Sequence, residues 1–242
     1  MLKVCIKWLM PVIWLAAAQI AAASTFDISP IRAELSGQHR IQALTLTNVD
    51  DAPVVIQMRL VRWSQENGAD RLEDTRDLLA APPVMQIPAH GEQIIRVALR
   101  RAPDPSRELS YRVIFQEVPR AAPKNFMGLR IALRLSVPVF VAPAHGKAHA
   151  RLAWSAQWLP GGKLRLSAAN RGTGHIQVTD FALRFGASPL PATGISAKYV
   201  LPGSTMSWTL TPPAGVDHHA AVSIHGHSDQ GDFSANVAIH AR

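Results

Sequence analysis

Histidines are the residues whose chemistry stands out first in this sequence. The chain has ten of them, and four gather near its C-terminus: His218, His219, His225 and His227. On a β-strand His225 and His227 would share one face, and imidazole nitrogens are common ligands of zinc and other transition metals. Only Asp217 and Asp229 add carboxylates nearby, and surface histidines near loops are common. We therefore predict no metal site and no cofactor.

Sequence motifs for catalysis are absent. The chain has no Gly-x-Ser-x-Gly elbow, no phosphate-binding glycine loop and no His-Glu-x-x-His motif. Gly172-Thr173-Gly174 is typical of a turn between strands and lacks the strand–helix context of a dinucleotide site. We predict that the protein is not an enzyme.

Residues 129–136 suggest a different kind of chemistry, because large apolar side chains recur there at every second position. These side chains would share one face of a strand: Leu129, Ile131, Leu133 and Leu135. They could fill the core of their own domain, or the strand could add itself to the exposed sheet edge of a partner. Each leucine-sized side chain buried in a partner's groove would contribute roughly 1.5–3 kcal/mol before ordering costs. The alternation alone favours the first reading and leaves the second open.

The composition excludes several classes of protein. The 242 residues are 48% hydrophobic, which is enough for a packed core. Eighteen prolines exclude a long-helix protein, and a single cysteine, Cys5, excludes an internal disulfide framework. A formal charge of +8 raises the question of nucleic acid. The tryptophans are more typical of a sandwich core than of a base-stacking platform, so we predict no nucleic-acid partner.

The N-terminus has the parts of a secretory signal peptide. Lys3 and Lys7 accompany an apolar run that ends in Ala21-Ala22-Ala23. The run is shorter than the roughly 20 residues of a membrane-spanning helix, and it contains Pro11 and Gln19. A retained anchor is the alternative. We predict a signal peptide at residues 1–23 and an exported, cysteine-free mature chain without membrane insertion.

The rest of the chain is predicted to be all-β. Short segments with period-two alternation, such as Val54–Trp63, are separated by breakers such as Asn67-Gly68. The pattern restarts after a breaker-rich stretch at Pro143–Lys147. The lengths and spacings predict two immunoglobulin-like β-sandwich domains, at residues 24–143 and 144–242.

Several ordered motifs resemble those of PapD-like periplasmic pilus chaperones. Ser106–Pro119 (SRELSYRVIFQEVP) resembles the family's arginine-glutamate…glutamate-hydrophobic-proline signature. Further matching segments are Ser29–Arg32, Leu44–Asn48, Ala81–Pro83, Gly91–Val97, Arg130–Pro143, and in the second half AANRGTGHIQV and YVLPGSTMSW. The resemblance covers nearly all of residues 26–242.

The resemblance implies an L-shaped pair of domains in the periplasm of a Gram-negative cell. Such a chaperone binds pilin or fimbrial subunits by donor-strand complementation and delivers them to an outer-membrane usher. The donor strand would carry the apolar side chains of residues 129–135. Self-association of the free chain stays open. The alternative is an exported immunoglobulin-like adhesion or ligand-binding module, with the histidine cluster or a cleft as its site.

The resemblance also implies a cleft that anchors the subunit's terminal carboxylate. Arg32 matches the family's arginine, and a guanidinium suits a carboxylate because it can donate two parallel hydrogen bonds. Pro138 stands where the family has a lysine, and we expect Arg134 to replace that lysine. Glu117 keeps a family position with an interdomain or structural role, but its usual partner arginine is replaced by Ala142. These departures are typical of a divergent branch, such as the archaic pili with spore-coat-protein-U-like subunits.

Overall fold

The computed structural model describes residues 26–119, 131–186, 188–191, 196–212, 215–217 and 220–240. The predicted signal peptide at residues 1–23, and Leu129, lie outside these ranges. A search of the described ranges finds no helix with the length and apolar character needed to cross a bilayer.

The first domain is a sandwich of two β-sheets. Its strands are β1 (Phe26–Ser29), β2 (Ala33–Leu35), β3 (Ile41–Asn48), β4 (Val54–Glu66), β5 (Ala69–Asp74), β6 (Leu78–Ala81), β7 (Val84–Ile87), β8 (Glu92–Leu99), β9 (Leu109–Glu117) and β10 (Arg134–Val141). One sheet has the order β1-β3-β8-β6, and the other has the order β2-β10-β9-β4-β5 with β7 paired to β4. Because β1 and β2 belong to different sheets, the residues between them, including Arg32, cross from one sheet to the other.

Alternating side chains explain why these segments form a sandwich. In β8, Ile95, Val97 and Leu99 are buried and the residues between them are more exposed. In β4 the buried face changes along the strand: Ile56 lies in the sandwich core, but Trp63 near the other end lies in a separate cluster. This change occurs because the far end of β4 packs against the second domain.

The second domain contains the strands β11 (Leu152–Trp158), β12 (Leu164–Asn170), β13 (Ile176–Phe185), β14 (Ser188–Pro191), β15 (Lys198–Val200), β16 (Thr205–Leu210), β17 (Val222–Ser228) and β18 (Gly231–His240). The strand β18 pairs with β17 along residues 231–237 and with β11 along residues 238–240, and so it joins the two layers. A separate apolar core lies between these layers. The predicted all-β architecture of two sandwiches is confirmed.

A buried asparagine holds the loops at one end of the second domain. Asn170 is the last residue of β12, and its Nδ2 donates to the carbonyls of Gly174 at 2.8 Å and Val200 at 2.9 Å. Its Oδ1 accepts from the backbone N–H of Gly172 at 2.9 Å and of Arg151 at 3.1 Å. One amide therefore satisfies four backbone groups that water cannot reach easily.

We predict that Asn170→Ala lowers the free energy of unfolding by roughly 2–3 kcal/mol, since it leaves buried backbone groups without partners. Asn236→Ala on β18 is the matched control, because Asn236 is exposed and such changes stay within about 0.5 kcal/mol. Urea denaturation, monitored by circular dichroism, measures the free energy of unfolding of both variants. Equal stability of the two variants would contradict the role of Asn170.

Candidate functional site

The last strand of the first domain has an open edge. All eight residues of β10 pair antiparallel with β9, but only Val139–Val141 pair with β2, in parallel. In the described part of the chain, no strand pairs with the other edge of residues 134–138. Pro138 has no N–H to offer a neighbour, and the ladder with β2 begins just after it. Backbone groups along this edge are therefore free to accept another strand.

The apolar side chains predicted to form the donor segment become more buried along the chain. Ile131 is 57% exposed, whereas Leu133 and Leu135 are partly buried and pack against the core of the first domain. Leu129 lies outside the described residues. Glu117 holds this segment: its Oε2 accepts from the backbone N–H of Leu133 at 3.1 Å, and its own N–H donates to the Leu133 carbonyl at 2.9 Å.

Two arginines flank Pro138 on the face of this sheet that meets the second domain. Arg112 on β9 pairs directly with Pro138. Ala33 pairs with Val139, so Arg32, one residue earlier, is level with Pro138. With strands about 4.8 Å apart, the main chains of the two arginines lie roughly 10 Å apart, one on each side of the proline. The register thus places two cations around the position where the family has its lysine.

Arg32 is paired with a carboxylate of the second domain. Its Nη1 lies 2.7 Å from Asp229 Oδ2, and its Nε lies 3.3 Å from Glu34 Oε1. Burial opposes the charge of Arg32, but the Asp229 carboxylate raises the pKa of the guanidinium overall. Burial would raise the pKa of Asp229, whereas His175, the backbone N–H of Gln177 and Arg32 hold it below its usual value. Both groups therefore stay charged near neutral pH.

Arg112 is more deeply placed and less well paired. Its side chain is only 16% exposed, and its Cζ lies 3.6 Å from the centroid of the Trp63 ring. Nη1 donates to Ser136 Oγ at 3.2 Å, and Nη2 lies 3.7 Å from Asp70 Oδ2. Nε is buried without a hydrogen-bond partner among the described residues. Burial lowers the pKa of Arg112, so an anionic ligand would stabilise its charge.

Tyr199 of the second domain lies close to both arginines. Burial raises the pKa of its phenol, and the charges of Arg32 and Arg112 oppose that rise. The Tyr199 ring also packs edge-on against Trp63, with centroids 5.3 Å apart. Two guanidinium groups and one phenol hydroxyl therefore lie close together where the two domains meet, and together they could bind a carboxylate. We call the place between these three side chains the cleft.

The structure separates Arg134 from this cluster. Arg134 is exposed on β10, four residues before Pro138, which is about 13 Å along a strand. It is not brought together with Arg32. We expected Arg134 to replace the family's lysine, whereas Arg112 is the arginine that lies beside Pro138, and only the pairing of β9 with β10 reveals this neighbour.

Glu108 of the first domain contacts His175 of the second domain. Its Oε1 accepts from the backbone N–H of His175 at 3.1 Å and lies 2.7 Å from His175 Nδ1. The His175 ring stacks on Phe140 with centroids 3.4 Å apart and an interplanar angle of 6°. Glu117 is the last residue of β9, nine residues after Glu108 and about 30 Å along the strand, where it contacts Leu133. Its interdomain or structural role stays a prediction.

A glutamine adds backbone contacts between the domains. Gln65 Nε2 donates to the carbonyl of Tyr199 at 2.9 Å, and its Oε1 accepts from the N–H of Leu201 at 2.9 Å. Trp63, Phe140 and Leu201 form a small apolar cluster beside it. Hydrogen bonds and apolar contacts thus hold the two domains together beside Tyr199.

The C-terminal histidines are placed on a surface strand. His225 and His227 belong to β17, and His227 Nδ1 lies 2.6 Å from Asp232 Oδ1. Over the described ranges, no three histidine, cysteine or acidic side chains are grouped in a way that could hold a metal ion. His218 and His219 lie outside these ranges.

Solved structures with a similar fold include pilus chaperones. A chain of the crystal structure of the CsuC–CsuE chaperone–tip adhesion subunit complex of Acinetobacter baumannii archaic Csu pili has a TM-score of 0.69 at 20% identity, covering 90% of this chain and 100% of that one. A chain of the Salmonella enterica SafA pilin–SafB chaperone complex has a TM-score of 0.61 at 16% identity. The match covers 90% of this chain and 98% of that one. The E. coli chaperone DraB has a TM-score of 0.59 at 18% identity. The match covers 88% of this chain and 98% of DraB.

The family assignment rests on a family model. A search of curated protein sequences finds no match. The model for the pili and flagellar-assembly chaperone, PapD N-terminal domain, matches residues 25–147, which is half of the chain. This match spans the open edge of β10 and both arginines of the cleft. The protein therefore belongs to the PapD-like family of pilus-assembly chaperones, which are not enzymes.

Proposed function

We propose that the mature chain binds pilus subunits by lending them the open edge of β10 and delivers them to an outer-membrane usher. The observation that carries the proposal is the edge itself, which β2 covers for only three of eight residues. Main-chain hydrogen bonds along residues 134–138 provide affinity, and the alternating side chains before them provide the fit to a groove. Leu129, Ile131, Leu133 and Leu135 are the proposed donor side chains.

The subunit's terminal carboxylate is the second contact in this proposal. It docks in the cleft between Arg32 and Arg112, beside Tyr199. A carboxylate there accepts charge-assisted hydrogen bonds away from bulk water, each contributing roughly 1.5–3 kcal/mol. Since both arginines lie level with Pro138, a bound carboxylate sets the register of the subunit strand along β10.

The cellular setting follows from the same function. Export by the signal peptide at residues 1–23 places the chaperone in the periplasm, where subunits arrive unfolded. The structural similarity to the archaic Csu complex supports an archaic branch. Without a subunit, the open edge of β10 is also the surface through which two copies of the chain would associate.

We predict that Arg32→Ala and Arg112→Ala each reduce recovery of the subunit complex at least tenfold, since each removes a charge-assisted contact of roughly 1.5–3 kcal/mol. The tagged chain is isolated from the periplasm of cells that coexpress pilin subunits, and the stoichiometry of a pilin-sized partner is measured. Arg96→Ala is the control, because Arg96 is exposed on β8, in the sheet that contains neither β10 nor the cleft arginines. Undiminished recovery with both cleft variants would contradict the anchor, and a clean monomer with the unmodified chain would favour an adhesion module.

We predict that Ile131→Ser weakens subunit binding roughly 10- to 100-fold, the equivalent of about 1.5–3 kcal/mol of lost apolar burial. The melting temperature of the free chain should not change, because Ile131 is already 57% exposed. Ile94→Ser is the matched control: Ile94 is 51% exposed but lies in the other sheet. Competition binding and differential scanning calorimetry measure the two effects. If the two variants bind subunits equally well, Ile131 is not a donor side chain.

A further inference from the structure

A histidine lies between two carboxylates at the contact of the two domains. His175 Nδ1 is 2.7 Å from Glu108 Oε1, and Nε2 is 3.6 Å from Asp229 Oδ2. The side chains of all three residues are at most 14% exposed. One face of the imidazole ring is covered by Phe140.

Neither neutral form of His175 suits this position. A neutral imidazole carries one N–H, so its other nitrogen presents a lone pair. If the proton is on Nδ1, the lone pair of Nε2 faces Asp229; if it is on Nε2, the lone pair of Nδ1 faces Glu108. Only the imidazolium presents an N–H to both carboxylates, and this geometry favours the charged form.

The cluster continues directly into the cleft, because Asp229 contacts both His175 and Arg32. Asp229 Oδ2 is 2.7 Å from Arg32 Nη1 and 3.6 Å from His175 Nε2. The same carboxylate oxygen therefore balances the charge of the anchoring arginine and that of the histidine. Any further anion at Arg32 must share the guanidinium with Asp229 and Glu34.

We propose that Asp229 and His175 are positioning residues of the Arg32 anchor, and that binding of a subunit's terminal carboxylate there is coupled to uptake of a proton by His175. The inference rests on the proposed function. A carboxylate at Arg32 takes part of the positive charge that Asp229 holds in the free protein. The charge of Asp229 is then balanced by His175, which must be protonated.

The charges around His175 determine the sign of the effect. Glu108 precedes β9 and Asp229 follows β17, and both favour the imidazolium; Arg32, next to Asp229, opposes it; Tyr199 nearby is neutral. Burial would lower the pKa of His175, but Asp229 and Glu108 outweigh burial and raise it. An added ligand carboxylate raises this pKa further. Affinity is therefore highest at low pH and falls as pH rises through the pKa of His175.

The test uses the mature chain and two synthetic peptides with alternating apolar and polar residues, one ending in a free carboxylate and one in an amide. Calorimetric titrations between pH 6 and pH 8.5, in buffers of different ionisation enthalpy, measure affinity and proton uptake. We expect proton uptake with the carboxylate peptide only. Between low and high pH, we expect the affinity of the carboxylate peptide to fall about tenfold for each unit by which binding raises the pKa of His175. The affinity of the amide peptide should be the same at every pH.

His175→Gln should abolish the proton uptake and flatten the pH profile of the carboxylate peptide. His225→Gln is the control, because His225 is exposed on β17. If His175→Gln does not fold, the nitrogen NMR shifts of the imidazole in the unmodified protein, recorded with and without peptide, report the same protonation. Carboxylate binding with the same affinity at every pH and no proton uptake overturns the coupling and leaves the anchor intact. Failure of both peptides to bind overturns the proposed function as well.

Discussion

The unequal pairing of β10 is the constraint on which the rest of the structure depends. One edge is fully paired with β9, and the other meets β2 at only three residues. The first pairing fixes the register and so places Arg112 opposite Pro138. The second ends next to the same proline, and it leaves an edge open beside the two arginines. In the proposed function, this one strand determines where a partner strand would pair and where its terminal carboxylate would lie.

The strand β10 also contacts the second domain directly. Phe140 is on the face of β10 that carries Pro138, two residues further along, and it stacks on His175. This ring contact brings the imidazole between Glu108 and Asp229, in a place where buried charges require partners. The contact between the domains and the carboxylate anchor consequently share one set of charges. Because Asp229 contacts both Arg32 and His175, a change of charge at one of them alters the electrostatic environment of the other.

Much of the fold and part of the site could be predicted from sequence because they depend on local pattern. Alternation along segments such as Val54–Trp63 predicted strands, and Arg32 was found by its place in the opening motif. The replacement for the missing lysine was assigned to Arg134, its neighbour in the chain, whereas the structure places Arg112 beside Pro138. Likewise an interdomain or structural role was predicted for Glu117, which contacts Leu133, whereas Glu108 contacts His175 of the second domain. The first contact depends on the register of β9 against β10, and the second depends on how the two domains pack. Neither can be read from a local sequence pattern.

The sequence by itself determined that the chain is all-β, that its two halves form separate sandwiches, and that a strand with one apolar face ends the first of them. These properties follow from side-chain period and turn residues, which act over a few positions. Only the tertiary structure decided which charges meet. Glu108 and His175 are 67 positions apart, and Arg32 and Asp229 are 197 apart. Their contacts arise because two domains pack on one sheet face, where burial requires each charge to find an opposite one.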